Sequence, residues 1–155
     1  MTTVSNSRKS ISVVIPNYNG SKLLEQNLPS VYEALNNAKT DFEIIITDDC
    51  STDSSVTFIR QNYPLVRLVI NEKNQGFSAS CNKGIALANK DLILLLNTDI
   101  ELNKDFFESQ FKYFELADTF GVMSKIIGAK NGETQDTARF LKYSGFKIKA
   151  NNFYH

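Results

Sequence analysis

The chain has 155 residues, enough for one domain with a substantial core. Its 17 basic and 17 acidic residues cancel, so no global field draws it to nucleic acid or to anionic lipid. The single histidine, His155, argues against a Ser-His-Asp triad or a His-based zinc site, which leaves any metal to oxygen ligands and therefore points to magnesium or manganese.

Residues 1–9 are polar and carry neither a signal peptide nor a spanning run, so they read as a disordered N-terminal segment. The pattern SISVVI at 10–15 is rich in β-branched residues and predicts a first strand. Pro16 is expected to stop it, and Asn17-Tyr18-Asn19-Gly20 to form a loop. A helix follows, with Ser21 as its cap and apolar residues at Leu24, Leu28, Val31, Leu35 and Ala38; Pro29 predicts a kink or a restart within it. The second strand, 42–47, runs into Asp48-Asp49. After a turn at 50–55, Asp53 or a neighbouring serine caps a short helix ending near Asn62. A third strand is expected at 66–70, a polar loop with Gly76 at 71–77, and a helix at 78–88.

Residues 92–96 form a run of five apolar residues, which predicts a central parallel strand buried on both faces. Asn97-Thr98-Asp99 ends that run, where open α/β sheets bind their ligands. A helix at 104–116 and a strand at 121–127 complete a core spanning 10–130. Beyond it, Asn131-Gly132 reads as a hairpin turn and 142–148 as a strand. Residues 131–155 resemble the start of an incomplete part, with no closing element.

Alternating strands and helices predict a doubly wound α/β fold with a mostly parallel sheet. Right-handed crossovers then carry residues 16–19, 48–49, 71–76 and 97–99 to one edge. Their convergence is the main sign of a binding site. Asp48 and Asp49 are expected to point to opposite faces, so that only one meets the crevice. An ionised carboxylate only accepts hydrogen bonds, so it favours a base with an imino N–H and repels cytosine; the competing reading is a turn-capping pair. Tyr18 is suited to stack on a base or ribose, or equally to pack on the first helix. Gly76 at a helix start suits an anion, though most such glycines only make turns, and Asn82 is either a crevice residue or a solvated one. A carboxylate at Asp99, so near the core, calls for a partner, either a divalent cation shared with a diphosphate or the backbone of the next helix.

Four segments, VVIPNYNG (13–20), TDDCSTDSS (47–55), NQGFSASCNKGI (74–85) and LLLNTDIEL (94–102), together resemble family 2 glycosyltransferases. The likeness covers residues 10–132 and is strongest to the rhamnosyl- or galactosyltransferase-like branch that builds bacterial surface polysaccharides. It implies a GT-A, Rossmann-like three-layer α/β/α fold, truncated at its C-terminus. Pro16 and Tyr18 would line the base pocket, Asp49 would meet the imino N–H, and Asp48 would be structural or touch the ribose. Asn74, Gly76 and Asn82 would border the nucleotide and sugar, with Thr98 also lining the nucleotide. Asp99 would be the retained acid of the DXD motif, holding Mg²⁺ or Mn²⁺, while Asn97 replaces the first acid and weakens the metal site.

The resemblance further implies inverting transfer from a UDP-, dTDP- or GDP-linked sugar to a saccharide or lipid-linked saccharide. The setting would be cytoplasmic or peripheral at the inner membrane face, and a homodimer is compatible with it. The catalytic base would lie beyond residue 155, since Glu133 and Asp136 come too early to match it. Two other classes compete: a magnesium-dependent phospho-acceptor signalling module, and a catalytically silent nucleotide-binding or interaction fragment.

Overall fold

The computed structural model describes residues 9–128, 131–135, 139–144 and 147–152, the last two segments and Gln135 as backbone only. Residues 1–8, Asp136 and 153–155 lie outside the described residues. Two compact units are present, Met1–Phe111 and Lys112–His155. Each is described by itself.

In the first unit, β1 (Ile11–Asn17), β2 (Phe42–Asp48), β3 (Arg67–Ile70) and β4 (Leu92–Leu95) form one sheet in the order β3-β2-β1-β4, with every neighbouring pair parallel. Helices α1 (Ser21–Ala38), α2 (Ser55–Asn62), α3 (Phe77–Leu87) and α4 (Phe106–Phe111) connect or follow the strands. Side chains alternate across the sheet. Ile11, Val13 and Ile15 of β1 and Ile44 and Ile46 of β2 therefore share one face, where they pack with Leu24, Leu28, Val31 and Leu35 of α1 and Ile59 of α2. The periodicity expected for α1 is the one it buries. Each such fully buried side chain stabilises the fold by roughly 1.5–3 kcal/mol. On the opposite face α3 comes so close that a Cβ on Gly84 would stand 2.4 Å from Val14 Cγ1 and 3.0 Å from Thr47 Oγ1. Helices on both faces make the three-layer α/β/α arrangement.

Several local expectations are corrected. The run at 92–96 is not a central strand: β4 is an edge of the four-stranded sheet, and β1 and β2 are central. Leu92 and Leu94 pack toward the α1 side, but Ile93 and Leu95 are 47% and 44% exposed, because α3 covers β1 and β2 instead. An apolar run marks a strand without saying how many neighbours it has.

Pro16 does not stop β1, which continues to Asn17. Alternate residues of a parallel strand direct their backbone groups to opposite neighbours. Val14 O accepts from Leu96 N on the β4 side at 3.0 Å, and Asn17 O accepts from Asp49 N on the β2 side at 2.8 Å. Pro16 thus faces the β4 side, where pairing has already ended at Val14, and its missing N–H costs no ladder bond.

Helix α1 runs unbroken through Pro29 rather than restarting, and Ser21 does not cap it: Gly20 occupies the N-cap position with no side-chain bond. The helix expected at 104–116 is shorter, with α4 giving way to a 3-10 turn at Lys112–Glu115.

In the second unit, only Ile126–Ile127 of the strand expected at 121–127 is extended. As β5 it pairs antiparallel with β6 (Thr134–Gln135), around a turn in which Gly132 has φ 67°. The strand expected at 142–148 is instead two, β7 (Arg139–Ser144) and β8 (Lys147–Asn152), paired antiparallel. No helix among the described residues is long and apolar enough to cross a membrane.

The close approach of α3 is directly testable. Gly84→Val should destabilise the chain by about 1–3 kcal/mol through overpacking, with little offset from helix propensity. Gly121→Ala, where an added Cβ meets nothing within 4 Å, should leave the urea midpoint almost unchanged.

Candidate functional site

Because all four strands run parallel, their carboxyl ends lie along one edge, and β1 and β2 stop in register with Asn17 opposite Asp48. The chain leaving each strand stays bonded to its neighbour. Asn71 N donates to Asp48 O at 2.8 Å, which holds the start of the β3–α3 loop against the end of β2. Asn27 of α1 donates its amide to Thr98 O at 2.8 Å, which fixes the turn after β4. Gly20 lets these segments approach: a Cβ there would stand 2.4 Å from Asn17 Oδ1 and 3.6 Å from Thr98 Cγ2. Residues 16–19, 48–49, 71–76 and 97–99 therefore share one edge, as their spacing predicts.

Both members of the acidic pair are buried, with Asp48 0% and Asp49 3% exposed. Asp48 Oδ2 accepts from Asn17 Nδ2 at 2.7 Å, and Oδ1 accepts from Ser51 N at 2.9 Å. Those bonds tie β1, β2 and the turn after β2 together. Asp49 is held by the β3–α3 loop: Oδ1 accepts from Asn71 Nδ2 at 2.8 Å and from Gln75 N at 2.9 Å, and Oδ2 accepts from Gly76 N at 2.8 Å. Burial pushes the Asp49 pKa up, but the bonds from Asn71, Gln75, Gly76 and Ser80 outweigh it and leave it below the ordinary value. Gly76 has φ 87° and ψ 167°, a region open essentially to glycine alone. That conformation aims its N–H at Asp49. The amides of Gln75 and Gly76, expected to face a ligand anion, are thus engaged by a side chain of the protein.

A second set of bonds fixes the β1–α1 loop to residues 50–55. Asn19, at φ 51°, accepts at Oδ1 from Thr52 N at 2.7 Å, and its own N–H donates to Ser51 Oγ at 2.8 Å. Asp53 serves two helices. Its Oδ2 accepts from Ser21 N, the first residue of α1, at 2.9 Å, and its Oδ1 accepts from Ser55 N, the first residue of α2, at 2.9 Å. Burial raises the Asp53 pKa, and the bonds from Ser55 and Ser21 more than reverse it. The cap of α1 is therefore supplied by a residue 32 positions away, which no local pattern reveals.

Tyr18 is 55% exposed at the same edge, and Phe77 is 58% exposed at the start of α3. Asn74 is exposed and accepts from Gly76 N at 3.1 Å, and Asn82 is exposed on α3. Asp99 lies exposed in the turn after β4, with Asn97 exposed beside it. Its closeness to the core therefore does not by itself demand a partner. Asn97 and Asp99 offer hard oxygen donors suited to Mg²⁺ or Mn²⁺. Among the described residues no group of three or more His, Cys, Asp and Glu is placed to hold a metal, so this donor set fits only a cation whose other ligands come from a bound molecule. Cys50 and Cys81 are both free.

Sequence reasoning did not single out Asn17, Asn71, Ser80 or Lys83. Asn71 could have been found as the first residue beyond a strand end, the position that Asp49 also occupies.

Residues 12–154 match the family model described as "Glycosyl transferase family 2". The amylovoran biosynthesis glycosyltransferase AmsB of Erwinia amylovora is 31% identical over 143 residues, covering 89% of this chain and 46% of AmsB. TarS 1–349 of S. aureus, solved in complex with UDP-GlcNAc, aligns with a TM-score of 0.58 at 24% identity, covering 68% of this chain and 31% of that one. The mannosyltransferase PcManGT of Pyrobaculum calidifontis, solved with GDP-Man and Mn²⁺, aligns with a TM-score of 0.57 at 24% identity, over 64% and 30%. These likenesses show a GT-A fold. The chain spans half or less of the length of the curated relatives it matches.

The Asp49 network predicts a stability signature. Asp49→Asn places a donor among donors and should cost about 1–3 kcal/mol in urea unfolding at pH 7. Because the folded-state pKa is lowered, the wild-type carboxylate contributes fully above its unfolded value of about 3.9 and loses that contribution as pH falls through the folded value. The acid limb of the wild-type stability curve should be shallower in the variant.

Proposed function

The chain belongs to glycosyl transferase family 2, and from that premise we propose that it is the donor-binding part of an inverting glycosyltransferase using a nucleoside-diphosphate sugar. The observation that carries this reading is the meeting of Tyr18, Asp49 and Asp99 with the β3–α3 loop along one sheet edge.

The exposed Tyr18 ring forms the platform for the base, while Pro16, buried in β1, supports that edge rather than lining the pocket. Asp49 receives the imino N–H of that base, since an ionised carboxylate only accepts hydrogen bonds. Asp48, 0% exposed and bonded to Asn17 and Ser51, holds the strand ends rather than the ligand. Asn74, Gly76 and Asn82 border the diphosphate and sugar along the start of α3, and Thr98 flanks them from the turn after β4. Asp99, with Asn97 beside it, would hold Mg²⁺ or Mn²⁺ jointly with the diphosphate. When bound, the cation supplies positive charge against the leaving nucleoside diphosphate. Mn²⁺ and GDP-Man in the mannosyltransferase and UDP-GlcNAc in TarS support this class of ligand. AmsB, a biosynthetic glycosyltransferase, supports a role in assembling a bacterial cell-surface polysaccharide, with a saccharide or lipid-linked saccharide as acceptor. In this reading no residue of the chain acts as the catalytic base.

Calorimetric titration with UDP tests the proposal. Wild-type chain should bind more tightly with Mn²⁺ than without it. Asp99→Ala should lose that metal-dependent gain, about tenfold or more in Kd, while retaining metal-free binding. An unchanged response to Mn²⁺ would remove Asp99 from the metal site. Absence of UDP and GDP binding altogether would remove the donor-site reading.

A further inference from the structure

The turn that carries Asp99 is held by α1 through a polar stripe flanking that helix's apolar face. Asn27, Ser30 and Asn37 fall on one side of the helix, and all three bond to the segment after β4. Asn27, 6% exposed, donates its amide N–H to Thr98 O at 2.8 Å. Ser30 Oγ accepts from Leu102 N at 3.0 Å, and Asn37 Nδ2 donates to Lys104 O at 3.2 Å. Asp99 stands between the first two attachments, just after Thr98 and shortly before Leu102.

Each of these bonds has a fixed direction. The single proton of the Ser30 hydroxyl is committed to Asn27 O at 2.7 Å, so its oxygen accepts from Leu102. A carbonyl only accepts, so Thr98 O takes the NH₂ end of the Asn27 amide. The turn does little to close itself: Ile100 N reaches Asn97 O at 3.4 Å, beyond the usual range. Leu96 and Leu102 are anchored in the core on either side. Between them the packing is incomplete, with a crevice lined by Ile15, Leu24, Leu28 and Ile100 together with Asn27 and Thr98. With weak closure and an unfilled crevice, the bonds from α1 set where the turn stands.

We infer that Asn27 and Ser30 are positioning residues for Asp99, holding its turn where the carboxylate can share a cation with the donor diphosphate. The inference rests on the reading that Asp99 meets the metal, and goes beyond it by assigning the placement to α1. Neither residue needs to touch the cation or the nucleotide. Among the described residues Asp99 belongs to no cluster of three or more metal-ligating side chains, so its own placement decides the bond. Oxygen ligands lie about 2.0–2.1 Å from Mg²⁺, and drift of about 1 Å would break that bond.

The test is calorimetry of the 155-residue chain with UDP, with and without Mn²⁺, read as the ratio of the two dissociation constants. Ser30→Ala removes the acceptor for Leu102 N from a half-buried position, and Asn27→Leu removes the donor to Thr98 O at nearly constant volume. In each, the gain from Mn²⁺ should fall by at least about threefold, the scale of one lost hydrogen bond. Ser30→Thr should keep the wild-type gain, because a helical threonine hydroxyl can make the same bond to the preceding turn. Bracing of a general kind would lower the urea midpoint and weaken UDP equally with and without metal. That unchanged ratio in Ser30→Ala overturns the inference, whether or not Asn27→Leu folds. A wild-type ratio near one, or an undiminished ratio in Asp99→Ala, instead removes the metal reading beneath it, and the inference falls with it.

Discussion

Two adjacent carboxyl groups buried at the end of β2 require hydrogen-bond donors, and the architecture of the sheet edge follows from how those donors arrive. Asp48 draws on Asn17 and the turn after β2, while Asp49 draws on the loop after β3. Each carboxyl group thereby joins two connections that are remote in sequence. An unpaired buried acceptor of this kind costs about 1–3 kcal/mol, so loops that failed to reach it would be penalised. The edge is consequently held by side-chain bonds rather than by loop packing.

The same economy of donors explains the glycines at this edge. Gly76 must adopt a left-handed φ to send its N–H to Asp49, and Gly20 must lack a Cβ because Asn17 Oδ1 occupies that space. Asn17 Oδ1 itself and Thr47 Oγ1 are buried without a hydrogen-bond partner. Both lie near the carboxyl ends of the central strands. Among the described residues, these incompletely paired buried side-chain atoms therefore lie toward the strand ends that carry the acidic pair.

A parallel sheet covered by α1 on one side and α3 on the other leaves β4 less protected than its composition suggests. Its apolar run follows from side chains packing toward α1 on alternate positions, with the other positions standing in the open. The carboxyl end of β4 still carries Asn97 and Asp99 to the shared edge, because pairing with β1 sets its direction and register. Position along the edge, rather than depth in the core, is what sets where Asp99 lies.

In the first unit, strand and helix identity, the parallel α/β class and the convergence of four polar segments were legible in the amino-acid order. They depend on local periodicity, turn residues and the handedness of connections. The family was legible too, because its four segments are contiguous stretches of chain. Strand neighbours were not: a strand's own residues state its alternation but not what lies beside it, so β4 was misjudged as central and Pro16 as a terminator. Nor were the partners of the polar groups, since Asp53 capping a helix 32 residues upstream, or Lys83 donating to Asn71, requires two segments to be brought together first. Periodicity and turn chemistry are written within a few residues, whereas hydrogen-bond complementarity between distant loops exists only once the chain has closed on itself.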